Sequence, residues 1–133
     1  MSAHSVTAGA TRTTVERWYT ALTAGDEEAW LALHDQRAVC FIPVGTAPLG
    51  TRDDLRRHFR GLWRAFERLA VEPVRIWGAS DGAAVTWRAK GTGRNGREVT
   101  FEGVDVFELD PLGLIRTLWS YWDPVEVAEP LGA

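Results

Sequence analysis

Asp105 is the residue in this chain whose type and position best suit it to do chemistry. It lies in Phe101-Glu102-Gly103-Val104-Asp105-Val106-Phe107-Glu108-Leu109. At the two-residue period of a strand, one face carries Phe101, Gly103, Asp105, Phe107 and Leu109. A register shifted by one would turn Glu102 and Glu108 inward, which is worse, so the strand is expected to bury Asp105. Ionising a carboxylate among apolar groups is costly without partners. Two roles are open to it. Kept protonated, it would donate to an enolate, phenolate or carbonyl oxygen. With an internal donor or water offsetting the burial, it would stay ionised and act as a general base or acid. An inward acid satisfied by a nearby amide or indole, with no chemical role, is the alternative.

The other reactive side chains are weaker candidates. Tyr19 sits on the apolar stripe of a helix and could assist through its hydroxyl, or pack with the hydroxyl at the rim. His34 follows a helical stripe and reads as a helix-end cation. His58 reads as a surface residue and Cys40 as an inert buried thiol. The three histidines have no metal-ligand spacing. Gly91-Thr92-Gly93 has no following helix to hold a phosphate. Arg52, Arg56, Arg60 and Arg64 form a stripe that reads as a solvated face.

The elements that must position these residues follow from periodicity. Val15, Trp18, Tyr19 and Leu22 recur at helical spacing, with Thr13 or Thr14 as cap and Gly25 as stop. Asp26 can cap a second helix with Ala29, Trp30 and Leu33 as its buried stripe. Ala38 to Val44 is strand-like, with Pro43 at an edge or end. Thr51 and Asp54 form a capping box opening a third helix, on which Leu55, Phe59, Leu62, Trp63 and Phe66 recur. Strands are expected over 71–77, 83–90, 99–109 and 114–123, with Asn95-Gly96 as a hairpin turn. The last strand is apolar on both faces, Leu118 and Trp122 against Ile115, Trp119 and Tyr121, so both need cover. The layout is α+β: three N-terminal helices packed on a curved, mostly antiparallel sheet that forms a cone-shaped cavity.

Composition bounds the function. The 133 residues fit one domain, expected over 13–123, between a disordered leader (1–12) and a C-terminal tail (124–133). A net charge of −3 gives no electrostatic reason to expect nucleic acid, and no apolar run spans a bilayer. The first residues lack a signal peptide's apolar core, so a cytoplasmic location is expected. Seven tryptophans suit a ligand cavity or a sheet face that packs on a partner.

Three segments carry a resemblance: Trp18 to Asp26, Pro43-Val44-Gly45, and Gly103-Val104-Asp105-Val106-Phe107. Over residues 13–123 the chain resembles the NTF2-like superfamily, in particular its ketosteroid isomerase and SnoaL-like polyketide cyclase branch. Matched residue by residue, the isomerases' proton-shuttling Asp falls on Ile42, and their oxyanion Tyr falls on Trp18, next to Tyr19. Their protonated oxyanion Asp falls on Asp105, and a pocket Trp falls on Trp122. An indole can donate a hydrogen bond but not its proton, so one of three catalytic groups survives.

The resemblance implies a cofactor-independent isomerase, cyclase or dehydratase acting on a bulky apolar carbonyl, polyene or epoxide in polyketide-like biosynthesis. Asp105 and Tyr19 are its candidate catalytic residues. Trp18, His34, Ile42, Phe59, Trp63, Trp87, Leu118 and Trp122 are its candidate substrate contacts. No metal is expected, and a homodimer would form through the outer sheet face. A binding module that has lost the isomerase base is the alternative.

Overall fold

The computed structural model describes residues 7–132. Helices α1 (Ala8–Ala24) and α2 (Glu27–Leu31) lead into strand β1 (His34–Phe41) and helix α3 (Arg52–Ala65). Strands β2 (Phe66–Gly78), β3 (Gly82–Gly93), β4 (Glu98–Leu109) and β5 (Ile115–Tyr121) follow, and helix α4 (Pro124–Leu131) closes the chain. The sheet order is β1-β5-β4-β3-β2, antiparallel except for the parallel pairing of β1 with β5. One face carries the helices and the core. Among the described residues no helix is long and apolar enough to cross a membrane.

Local chemistry explains most of the boundaries. The Thr51 hydroxyl accepts from the Asp54 amide, while the Asp54 carboxylate accepts from the Gly50 amide, so orphan donors at the start of α3 are satisfied. Gly25 ends α1 at φ 67°, a left-handed conformation that costs glycine little. Pro73 lies in edge strand β2, beside a register irregularity, and Pro43 lies just beyond β1. Both sit where a missing amide donor does no harm to a ladder. The arginine stripe of α3 ties it to its neighbour: Arg56 pairs with Glu27 and Glu28, and Arg60 with Glu27.

Several expectations need correction. Helix α1 begins at Ala8 with Thr7 as its cap, six or seven residues before the expected cap at Thr13 or Thr14. Ala8 to Arg12 are small and polar and show no stripe, yet Thr11 is fully buried and bonds the Ser80 carbonyl. Residues 1–6 of the expected leader lie outside the described residues. The tail is helical from Pro124, capped by the Asp123 side chain. In α2, Trp30 and Leu31 are buried whereas Ala29 is exposed. Phe66 opens β2 instead of closing α3.

Ile115 was expected on the outer face with Trp119 and Tyr121, but it is fully buried. A bulge between the Leu109–Ile115 and Glu108–Thr117 pairs reverses the alternation at that point. Beyond the bulge, Leu118 and Ser120 face inward and Tyr121 faces outward.

Candidate active site

The Asp105 carboxylate is the polar centre of the inner sheet face. It is 1% exposed, and each of its oxygens accepts from a hydroxyl. Tyr19 Oη donates to Oδ2 at 2.6 Å, and Ser120 Oγ donates to Oδ1 at 2.5 Å. Ser120 arrives by register, since β4 and β5 pair Asp105 with Ser120 directly. Tyr19 arrives from α1, which packs its stripe across the sheet. Burial raises the Asp105 pKa from 3.8 to about 6, against the hydrogen bonds from Ser120 and Tyr19, which lower it. The Trp87 indole also favours the charged form. Its N–H makes no hydrogen bond of good geometry, so its pull is weaker than that of the hydroxyls. At neutral pH this carboxylate is ionised. A carboxylate so placed can accept a proton at neutral pH, as a general base does.

Burial and the neighbouring carboxylate push the Tyr19 phenol far above its ordinary range. Tyr19 is thus a fixed hydrogen-bond donor, and it does not ionise.

Behind the carboxylate lies a second buried polar pair. His34 Nδ1 donates to the Trp30 carbonyl at 2.9 Å, and its Nε2 accepts from Trp18 Nε1 at 3.1 Å. An acceptor at Nε2 requires a neutral ring, and burial lowers the His34 pKa to about 4. The expected helix-end cation is instead a neutral residue opening β1, and it fixes the Trp18 ring. Trp18 meets Tyr19 and Phe107 edge to face, at centroid distances of 4.9 and 5.5 Å.

An apolar cavity opens in front of Asp105, between the sheet, α1, α3 and α4. It leaves about 60 Å³ for the centres of water-sized molecules, less than the ~150 Å³ of an engineered apolar cavity that takes up benzene. A bulky ligand therefore needs the half-buried side chains around it, such as Trp122, to move.

The sequence candidates divide around this cavity. Trp18, Ile42, Trp87, Asp105 and Trp122 line it together. Tyr19 stands behind Asp105, and His34 stands behind Trp18. Phe59 is a core residue packed against Trp30, and Leu118 is fully buried in the core. Trp63 faces a separate surface groove with Gly25 and Arg60. Cys40 is buried, and its thiol is pushed up to about 12, as an inert thiol would be.

Ten of the fifteen lining residues were not singled out from sequence as site residues, and three of them stand out. Ser120 lies between Leu118 and Trp122 on one strand face, a signal that alternation carries. His58 falls three residues after Leu55 and four before Leu62, on the apolar stripe of α3; it lines the cavity and is not the surface residue expected. Val127 reaches the cavity from α4, which had no predicted role. Among the described residues no cluster of three or more His, Cys, Asp or Glu could hold a metal ion.

The chain belongs to the SnoaL-like domain family, whose model matches residues 15–117, and with it to the NTF2-like superfamily. No curated protein matches it. Solved structures share the fold across nearly the whole chain. One is SalBIII, an epoxide hydrolase/cyclase-like enzyme with a role in pyran ring formation in the polyether salinomycin. It is 24% identical, with a TM-score of 0.79 over 87% of this chain and 92% of its own. A second is an NTF2-like protein of unknown function from Burkholderia pseudomallei, 18% identical, with a TM-score of 0.83 over 93% and 98%. A third is RV0760c from Mycobacterium tuberculosis in complex with estradiol-17beta-hemisuccinate. It is 21% identical, with a TM-score of 0.77 over 86% and 94%.

Proposed function

We propose that this protein is a cofactor-independent cyclase or isomerase in which Asp105 is the general base. Its substrate is a bulky, mostly apolar carbonyl, polyene or epoxide, as in the tailoring of polyketide-like natural products. The observation that carries the reading is the Asp105 carboxylate itself, which lines an aromatic cavity with both oxygens bonded to hydroxyls and a pKa raised to about 6. A base with a pKa near the working pH combines availability with driving force.

The step is a net isomerisation and needs no co-reactant. On a carbonyl substrate, Asp105 removes a proton from the carbon next to the carbonyl, leaving an enolate, and returns it at another carbon. On a hydroxy-epoxide, Asp105 takes the hydroxyl proton while that oxygen attacks an epoxide carbon. A C–O bond forms as another breaks, and the proton returns to the alkoxide. The cyclase-like description of SalBIII and the steroid ester bound to RV0760c support a cavity for ring-forming or polycyclic molecules.

A panel of cyclic ketones in D2O tests this without knowledge of the substrate. Deuterium at the carbon next to the carbonyl, incorporated by the wild type and not by Asp105→Asn, is the expected result. Ketone binding without exchange in either protein would favour the second reading, a ligand-binding module. Ile42 in the place of the isomerases' base and the small free volume are the observations on its side.

The outer sheet face supports a homodimer. Trp77, Ala84, Val106, Trp119 and Phe41 form one row across all five strands, and exposed Val104 and Tyr121 pair beside it. Such an interface should survive high salt in sizing experiments, because apolar contacts are not screened.

A further inference from the structure

Among the described residues, His58 and Asp105 are the only titratable side chains that line the cavity, and they come from different walls, α3 and β4. The Asp105 end is satisfied by Tyr19 and Ser120. The His58 end is not. Neither nitrogen of the His58 ring has a hydrogen-bond partner among the described residues. The ring stacks on Trp30, at 6.4 Å between centroids and 30° between planes. The Trp30 indole N–H is itself buried and unpartnered, and Trp30 lines the same cavity. Burial lowers the His58 pKa to about 4, so the ring is neutral at pH 7 and presents one N–H donor and one acceptor nitrogen. Part of its surface stays open to solvent, so a ligand in the cavity could reach it. Buried polar groups ordinarily find partners, and the unpartnered Trp30 N–H, stacked against the half-buried His58 ring, marks a place where a partner is to be supplied.

We propose that His58 and the Trp30 indole form the second polar end of the cavity, a site that binds an uncharged acceptor oxygen. The ligand is then an uncharged, largely apolar molecule with polar groups at two ends. A hydroxyl or acidic C–H faces Asp105, and a carbonyl, ether or epoxide oxygen faces His58. This deepens the reading of Asp105 as the base and rests on it. Anionic ligands are disfavoured. A carboxylate would meet the Asp105 carboxylate across an apolar space.

The test is binding of phenol, acetophenone and hydroxyacetophenones with the two oxygens at increasing separation. It is followed by intrinsic tryptophan fluorescence at pH 7 for the wild type, His58→Phe, Trp30→Phe and Asp105→Asn. The best-spanning hydroxyacetophenone should bind the wild type more tightly than phenol. His58→Phe, which keeps a ring of similar shape, should remove most of that advantage, roughly five- to tenfold for one hydrogen bond, and leave phenol affinity unchanged. Asp105→Asn should weaken phenol and leave acetophenone unchanged. If His58→Phe and Trp30→Phe both bind the hydroxyacetophenone as the wild type does, the acceptor site is refuted, while phenol binding that depends on Asp105 leaves the base intact. If no probe binds the wild type, the acceptor site is refuted as well. Exchange from ketones in D2O that is unchanged in Asp105→Asn would remove the base independently of either result.

Discussion

Asp105 and Ser120 face each other as register partners on adjacent antiparallel strands, and that pairing sets Ser120 Oγ 2.5 Å from the carboxylate. The backbone ladder therefore positions one of the two donors that hold a buried acid in its charged form. Tyr19 supplies the other from a helix eighty-six residues earlier in the chain. Sheet pairing and helix packing thus control the same ionisation.

Removing either donor should raise the Asp105 pKa above about 6, because each favours the charged carboxylate. Ser120→Ala and Tyr19→Phe should each move the midpoint up by about one pH unit, the size of a charge-assisted hydrogen bond. In the pH dependence of deuterium exchange from a ketone, the rising limb should shift to higher pH in both variants. A limb that stays in place, or moves down, would show that these hydroxyls do not bear on the base.

Stability should fall in mild acid. His34 and His58 have folded pKa values near 4, below their ordinary 6.5, so their contribution is complete above pH 6.5 and is lost as pH falls toward 4. Asp105 has the opposite sign. Its pKa is raised from 3.8 to about 6, so its contribution is complete below 3.8 and is lost as pH rises through 6. Each difference is worth on the order of 3 kcal/mol, and two against one leaves a net loss on the order of 3 kcal/mol between pH 7 and pH 4. Urea midpoints at pH 7, 5.5 and 4.5 should decrease in that order. Midpoints that rise toward pH 4.5 would contradict the two neutral histidines.

Gly103 should tolerate no side chain. A Cβ there would overlap the Tyr121 carbonyl oxygen and come within 2.5 Å of the Trp87 ring. The carbonyl belongs to the neighbouring strand and cannot withdraw cheaply. Gly103→Ala should cost about 2–3 kcal/mol, as overpacking does, and should turn Trp87 away from Asp105. Urea denaturation with fluorescence detection measures both effects, and unchanged stability would refute the close approach.

How much was legible depended on which physics had to be read. Asp105 could be placed inside because the alternative register would bury two glutamates, and burial is a one-strand property. Its partner Ser120 required the pairing between strands, which no period within one segment encodes. Ile115 was assigned to the wrong face because a bulge resets the alternation, and bulges leave no apolar pattern. The start of α1 was missed because Ala8 to Arg12 carry no stripe; the Thr7 cap and the contact of Thr11 with Ser80 hold them. His58 was legible in principle. Its place between Leu55 and Leu62 puts it on the inward stripe of α3, and a histidine there was worth reading as facing the cavity. His34 depended on two tryptophans that meet it only in the folded chain.

The most direct test of the account is the titration of Asp105 itself, followed by the 13C shift of its side-chain carboxyl in labelled protein and assigned with Asp105→Asn. A single transition near pH 6, absent in the variant, is the predicted result. It would mean that a buried carboxylate stands ionised and ready to take a proton at neutral pH. A carboxyl that stays protonated to pH 8 or above, or one that titrates near 3.8 as an exposed aspartate does, would contradict the general base.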